Sequence, residues 1–379
     1  MKILFWGCFF SIFYSYFGYP LLLLILSKIR KKKINVNEDY QPKVSFIIAA
    51  YNEEKDLPGK LDNTLALDYP KDKLQIIVAS DCSDDRTDEI VLSYEDQGII
   101  LNRQKERSGK TSAQNDSVLR ASGEIIVFSD ATTHYHNDAV KKMVSYFSDP
   151  AIGCVAGNLI YTNPSGQTVG EGGGLYWRYE KWLRKYESDV CSLIGVSGCM
   201  YAVRKSAYSS IEQDLISDFV IATDIYKKGY RAVIALDAIC EEETTSSSSD
   251  EFNMRIRVII RSMRGLWARR DIFNPIVYGF YSIQLLSHKV IRYLVPIFMI
   301  GMMAGNLMLL EKRLYVLILI GQLLFYFASG IGYYYQETKG KKTLFFIPYY
   351  FLLVNIAVLF GIIRFVKGEK QVTWNPQRE

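Results

Sequence analysis

A set of carboxylates stands where short apolar runs end. Glu53 and Glu54 follow VSFIIAAYN, Asp81 follows LQIIVAS with Ser83, Asp84 and Asp85 close behind, and Asp130 closes EIIVFSD. Further along, Asp218 opens DFVIATDIYKKGYR. Cations are interleaved with them: Lys110 in ERSGKTS, and Arg261 and Arg264 in RSMRGLW. Aspartate and glutamate at such places can ligate a hard divalent cation such as Mg2+ or Mn2+, which favours oxygen ligands and substrate phosphates. They can also take a proton from an attacking hydroxyl. Lysine and arginine offset phosphate charge. Lys110 is not the lysine of an ATP-binding P-loop, because the glycine required five positions before Gly109 is Gln104. His134 and His136 lie just past Asp130, in a segment that reads either as a solvated turn or as a contact to metal or substrate.

The elements that must position these groups follow from the spacing. KVSFIIAAYN, LQIIVASD, GIILNR and EIIVFSDA are short β-rich runs, separated by helical stretches that end near Tyr69, begin near Thr87, and run from Lys110 to Ala121. Strands alternating with helices imply βαβ units and a largely parallel sheet. Such sheets bind ligands at the carboxyl ends of their strands, where the polar clusters Tyr51 to Glu54, Ser80-Asp81 and Ser129-Asp130 sit. Residues 165–175 are glycine-rich and read as a flexible loop leading into the aromatic helix LYWRYEKWLRKYES; Thr244 to Ser249 read as a polar loop. No internal repeat is visible.

The 379 residues suffice for one large α/β domain with membrane-spanning elements, or for two modest domains. The net charge of +5 is mild, and lysines and arginines cluster beside apolar runs, at Lys28 to Lys33 and Lys339 to Lys342. That placement speaks of membrane topology and not of nucleic-acid binding. The six cysteines show neither zinc-site nor disulfide spacing and read as reduced thiols. Residues 3–27 form an apolar stretch long enough to span a bilayer, and the cations that follow it argue for an anchor with the next domain in the cytoplasm. Three more runs are long enough to cross: Tyr293 to Leu310, Leu314 to Tyr335 and Thr343 to Ile363; residues 276–286 suit an interfacial helix. Four crossings leave the tail outside, whereas Arg364, Lys367 and Lys370 favour the cytoplasm. Either a further segment crosses or re-enters, or the tail breaks the rule.

VSFIIAAYNEE, IIVASDCSDDRT, RSGKTSAQN, VFSDATT, SGCMYAVRK and SDFVIATDIYKKGYR together resemble the successive motifs of the family 2 glycosyltransferases, over about residues 43–270. The resemblance implies a GT-A fold, α/β and Rossmann-like, flanked by transmembrane helices. It further implies a donor site for a UDP-sugar at Ala50, Tyr51, Asn52, Glu53 and Asp81, with Lys110 facing the donor diphosphate. Asp130 matches the first aspartate of the family's DxD metal motif; Thr132 stands where the last carboxylate is expected, so Thr132 or a water would complete the coordination of Mg2+ or Mn2+. Asp218 precedes Gly229-Tyr230-Arg231 at the family's spacing for its catalytic base; the plainer role for it is a helix N-cap. Arg261 and Arg264 resemble the family's Q/RxxRW element, which contacts the diphosphate and the acceptor end in chain-extending synthases. Here Gly265 holds the tryptophan's place and Trp267 follows two positions later; a basic interfacial helix explains the segment equally well. Trp177, Glu180 and Trp182 line an acceptor channel or pack in the core.

These observations divide the chain into an anchor (1–30), a GT-A domain (43–250), basic interfacial helices (251–290), three membrane helices (291–365) and a tail (366–379). The expected activity is inverting transfer from a UDP-sugar to a growing polysaccharide, as in synthases of chitin, hyaluronan or poly-N-acetylglucosamine. Single-sugar transfer to a polyprenyl-phosphate or glycolipid is the alternative, and a non-catalytic membrane partner that binds polymer or protein is the reading of another class. The partners expected are the donor, a carbohydrate or lipid-linked acceptor, and membrane lipids; the location expected is the cell membrane, multi-pass, with a cytoplasmic catalytic domain.

Overall fold

The computed structural model describes residues 1–162, 168–243, 248–335 and 343–370. Four apolar runs at the start of the domain become parallel strands: β1 (Val44–Ala50), β2 (Leu74–Ser80), β3 (Ile99–Arg103) and β4 (Ile125–Asp130). β1 is buried along its whole length, as expected of a strand covered on both faces. The sheet continues through β5 (His134–Tyr135), β6 (Ile152–Thr162), β7 (Met200–Arg204) and β8 (Arg231–Glu243), in the order β3-β2-β1-β4-β7-β6-β8-β5. It is mixed but mostly parallel: β7 runs antiparallel between β4 and β6, and β5 antiparallel to β8. Helices cover both faces, giving two cores that share the sheet.

Four helices among the described residues are long and apolar enough to cross a membrane: Lys2–Ile29, Phe280–Leu307, Arg313–Tyr334 and Leu344–Val366. They are joined to the sheet domain by packing, because Tyr19 and Leu23 of the first and Tyr281 and Leu285 of the second belong to one of the two cores. Both helices contain a π-helical turn, Tyr14–Gly18 and Leu286–Ile291, and the two turns touch through a 2.8 Å bond between the Tyr14 and Ser287 hydroxyls. Such turns are rare and gather at functional sites.

Three sequence expectations are corrected. The glycine-rich loop over 165–175 is helical from Thr168, in a helix that runs to Val190; positions 165–167 lie outside the described residues. Packing of its downstream aromatic half outweighs the glycines' poor propensity. The polar loop at Thr244 to Ser249 ends early, since Ser248 already opens the helix Ser248–Ala268, while 244–247 lie outside the described residues. No separate interfacial helix spans 276–286. Pro275–Tyr278 is a single turn ended by Gly279 at φ 59, a conformation glycine tolerates, and from Phe280 the chain runs on into the second span. The cationic run Lys339 to Lys342 and positions 371–379 of the tail lie outside the described residues.

Candidate active site

The carboxyl ends of β1 and β2 turn sharply. Asn52 and Cys82, each just past its strand, adopt left-handed backbone angles (φ 54 and 61), which non-glycine residues rarely hold outside functional turns. The two turns brace each other: Asn52 N donates to Ser83 Oγ (3.2 Å), Asp84 N to Asn52 Oδ1 (3.0 Å), Glu53 N to Thr87 Oγ1 (2.8 Å) and Glu54 N to Asp85 Oδ2 (3.1 Å). Ala50 ends β1 and its carbonyl accepts from Asp81 N at 3.0 Å. Asp81 then binds a third loop, accepting from the amides of Ser108 (2.8 Å) and Gly109 (2.9 and 3.0 Å). Burial pushes the Asp81 carboxyl above its usual range, against the pull of those amides. The Arg107 guanidinium lies 3.8 Å over the Tyr51 ring. The donor-site residues expected from sequence thus meet at one edge of the sheet.

Lys110, first residue of the helix Lys110–Arg120, reaches the end of β4. Its Nζ donates to Asp130 Oδ1 and, at 3.2 Å, to Gly198 O. Burial opposes its charge, but the Asp130 carboxylate holds it above the ordinary lysine range. Thr132 Oγ1 donates to Glu242 Oε1 at 3.0 Å, on the last turn-bound stretch of β8. No cluster of three His, Cys, Asp or Glu suited to a metal occurs among the described residues. Asp130, Thr132 and the Glu242 behind it nevertheless form an oxygen-rich edge that fits a Mg2+ or Mn2+ arriving with phosphate oxygens and water, the usual way these ions bind with few protein ligands. Behind this turn Lys60 is fully buried, donating to Thr133 O at 2.6 Å and lying 4.2 Å from the Tyr135 ring centre. Burial pushes its ammonium down to about 7. His134 and His136 face away from this edge: both are exposed, and His136 bonds Glu241 Oε1 at 3.2 Å.

Asp218 sits in the first turn of the helix Ser217–Lys227, but Ile216 is the N-cap, so the capping role does not apply. Its Oδ1 is buried without a hydrogen-bond partner. A methyl built on Gly198 would lie 3.5 Å from Asp218 Oδ2 and 3.7 Å from Lys110 Nζ, so these two groups face each other across that glycine.

Lys110, Asp130, Thr132 and Asp218 line one cavity of about 530 Å³, which continues past Trp177 and Glu180 to Tyr16, Arg292 and Tyr350 of the apolar helices. Arg261 lines it as well, donating to Leu215 O (2.5 Å) and Thr111 Oγ1 (3.2 Å). Arg264 is instead paired with Asp214 (Nε to Oδ2 3.0 Å), and Trp267 is 68% exposed. Gly265, between them, is pressed onto Phe219: a methyl there would lie 2.9 Å from the ring, which leaves no room for the tryptophan the motif expects. Trp182 is 38% exposed, whereas Trp177 faces the cavity and donates Nε1 to Leu159 O at 2.8 Å.

At the cavity's inner end lies a charge network that sequence reasoning missed. His288 bonds Glu187 Oε1 (2.7 Å) and Glu180 (3.1 Å); Arg292 Nη1 bonds Glu180 Oε2 (3.0 Å), and Tyr19 OH donates to Glu187 Oε1 (2.7 Å). Burial opposes the charge on Glu180, yet His288, Arg292 and Arg184 hold its carboxyl well below the usual range. The available signal was His288, Lys289 and Arg292 inside an otherwise apolar run, since ionisable residues at such places are rarely incidental.

Comparison with known proteins agrees with this geometry. Residues 45–211 match the model of Glycosyl transferase family 2. The chain is 25% identical over 292 residues to the poly-beta-1,6-N-acetyl-D-glucosamine synthase of Staphylococcus aureus, covering 72% of this chain and 67% of that one. It is 28% identical over 181 residues to glycosyltransferase AglE of Haloferax volcanii, covering 47% of this chain and 55% of the relative. Its fold is similar to that of a mannosyltransferase from Pyrobaculum calidifontis, solved with GDP-Man and Mn2+, at a TM-score of 0.73 and 21% identity over 96% of this chain and 99% of the other. Residues 45–211 thus match glycosyl transferase family 2, in a chain of glycosyltransferase fold that is similar to polysaccharide synthases.

Proposed function

We propose that this chain transfers a hexosyl or N-acetylhexosaminyl unit, with inversion, from a UDP-sugar to a carbohydrate hydroxyl presented through the cavity. The observation that carries this reading is the continuity of one cavity from the Lys110–Asp130 pair, past Asp218, to the apolar helices. Ala50, Tyr51, Asn52, Glu53 and Asp81 hold the nucleoside end, and Lys110 offsets the donor diphosphate. Asp130 and Thr132, backed by Glu242, would hold Mg2+ or Mn2+, which would supply positive charge to offset the leaving diphosphate. Asp218 takes the proton as the acceptor oxygen bonds to the anomeric carbon, and the bond from that carbon to the diphosphate breaks, releasing UDP. Attack from the side opposite the leaving group inverts the anomeric centre.

The cations at Lys28 to Lys33 support an orientation with the sheet domain in the cytoplasm, where nucleotide sugars are available, and the four apolar helices support a multi-pass membrane protein. The relationship to poly-N-acetylglucosamine synthases favours a growing polysaccharide as acceptor. A second reading, single-sugar transfer to a lipid-linked acceptor, is favoured by Arg264 and Trp267 standing away from the cavity. Membranes containing the protein, incubated with radiolabelled UDP-sugars or GDP-mannose and with Mg2+ or Mn2+, test both. One UDP-sugar is expected to give labelled product; product from GDP-mannose alone would overturn the donor reading. A long ladder of products supports polymer synthesis, and a single extracted glycolipid supports single transfer.

A further inference from the structure

The cations that line the cavity fall into two groups. Lys110, Arg184, Arg255 and Arg292 each pair with a carboxylate: Asp130, Glu180 (3.4 Å), Glu251 (2.8 Å) and Glu180 (3.0 Å). Arg257, Arg261 and Lys289 line the same cavity and have no ion pair among the described residues. Arg257 has no hydrogen bond either, and Arg261 keeps a buried Nε without a partner. Lys289 reaches only the Tyr293 hydroxyl, at 3.4 Å, and lies 5.3 Å over the Phe219 ring.

Two elements bring the three together. Arg257 and Arg261 lie one turn apart on the helix Ser248–Ala268, and Lys289 comes from the π-helical turn of the second span. Burial depresses both guanidiniums below the ordinary arginine range, the mark of charge held out of water. All three are half-buried against the cavity, and charge partly withdrawn from water without a partner points to an anion that arrives from outside. The carboxylates in electrostatic reach do not supply it. Asp214 is paired with Arg264, and Glu180 with Arg184 and Arg292, which leaves Asp218 as the carboxylate facing Arg261 and Lys289.

We propose that Arg257, Arg261 and Lys289 form an anion subsite beside Asp218 that receives the diphosphate of a lipid-linked sugar acceptor. The proposal rests on the reading of Asp218 as the base for an acceptor hydroxyl, and on the second acceptor reading, a lipid-linked sugar, in place of the growing polysaccharide. In a sugar joined through its anomeric carbon to a diphosphate, the hydroxyl to be glycosylated and the anion lie across one ring from each other. That spacing suits a base and a cationic cluster facing the same cavity. A neutral growing polysaccharide brings no such anion. The donor's own diphosphate already meets Lys110 and the Asp130 edge. The lipid has a place too, because the cavity wall is completed by Tyr16 of the first apolar helix and by Val354 and Val358 of the last.

The test uses the full chain in lipid nanodiscs, first saturated with UDP and Mn2+, with farnesyl diphosphate as the probe and farnesol and inorganic pyrophosphate alongside, all followed by calorimetry. Farnesyl diphosphate is expected to bind while UDP remains bound. Arg257→Gln and Lys289→Gln should each weaken it about tenfold, the order of one charge-assisted contact, while UDP affinity changes less than about twofold. Arg257→Lys, which keeps the charge, should retain most of the binding, and the UDP titration of every variant doubles as a check on folding. Displacement of farnesyl diphosphate by UDP would assign the trio to the donor and overturn the proposal. Equal binding of farnesol would overturn it as a tail effect, and equally tight binding of pyrophosphate would refute the lipid source. None of these readings depends on sugar transfer, so the loss of Asp218 as base would be seen separately, by Asp218→Asn retaining activity.

Discussion

Replacing Asp218 with asparagine separates catalysis from binding more cleanly than any other change at this site. The substitution preserves volume. Because Oδ1 is buried and unbonded, and the backbone bond from Val196 N to Asp218 O (2.9 Å) does not involve the side chain, no hydrogen bond of the fold is lost. Stability should therefore shift by no more than about 1 kcal/mol. The charge is another matter. Arg261 and Lys289 sense the Asp218 carboxylate, so neutralising it leaves the cavity more positive and holds or tightens its grip on a diphosphate. Proton transfer suffers, since an amide accepts no proton near neutral pH, and general-base assistance contributes about a hundred- to ten-thousand-fold. That is roughly 3 to 5 kcal/mol of barrier. Calorimetry with UDP and a labelled-product assay on the detergent-solubilised protein read the two effects independently. Intact or tighter UDP binding with nearly all transfer lost is the expected result. A collapse of UDP affinity would place Asp218 in the donor site or the fold, and surviving transfer would place the base elsewhere.

Asp130→Asn should sharply reduce transfer and so should EDTA; activity that survives both refutes the ion assigned to Asp130 and Thr132. Lys60 predicts a pH signature in the EDTA-treated protein. With its folded value near 7 and its unfolded value near 10.5, the unfolded chain binds more protons between those limits, so stability should rise with pH across that window. The full cost, on the order of 5 kcal/mol, applies below pH 7. Lys60→Met should flatten the rise in Tm between pH 7 and 10, and an unchanged slope would contradict the buried charge. Single cysteines placed on the sheet domain should react with an impermeant thiol reagent only after cells are permeabilised; labelling of intact cells would reverse the orientation drawn from Lys28 to Lys33.

Much of the donor side was legible because its signals are local. Each of β1, β2 and β4 announces itself as an apolar run, and in a parallel arrangement the polar residue after such a run must stand at the ligand-binding edge. The placement of Ala50 to Glu53, Asp81 and Asp130 at that edge needed no more than that, while the roles proposed for them come from the resemblance to family 2 glycosyltransferases. The antiparallel insertion of β7 between β4 and β6 was not legible, since its pairing is decided by contacts distant in sequence. The glycine-rich start of the helix Thr168–Val190 misled for a related reason: local propensity opposes a helix there, and tertiary packing of Trp177, Glu180 and Leu183 imposes one. Gly279 had the opposite effect. By resetting the backbone it separates residues 275–278 from those after it, which join the long apolar helix Phe280–Leu307.

The rest of the site was hidden because it is made only when separate elements converge. Nothing in the run Glu241 to Glu243 says that the middle carboxylate will stand behind Thr132; the antiparallel pairing of β5 with β8, which sets His134 against Glu241, puts it there. In the sequence Arg257 belongs to a basic segment, and Arg261 reads equally as part of an interfacial helix or of a diphosphate-contacting element; only the fold sets both on one cavity with Lys289 and Asp218. Yet one clue was present throughout. An apolar run from Phe280 to Leu307 that keeps His288, Lys289 and Arg292 within five positions carries a charge cost in any membrane setting, and the structure answers only part of it. Glu180 and Glu187, from the helix Thr168–Val190, satisfy His288 and Arg292 and so lock the second apolar helix to the sheet domain. Lys289, between them in sequence, turns instead toward Phe219 and the Asp218 side of the cavity. The same π-helical turn therefore carries one residue that fixes the helix in place and one left for a ligand, which ties the position of the membrane span directly to the residue proposed to activate the acceptor.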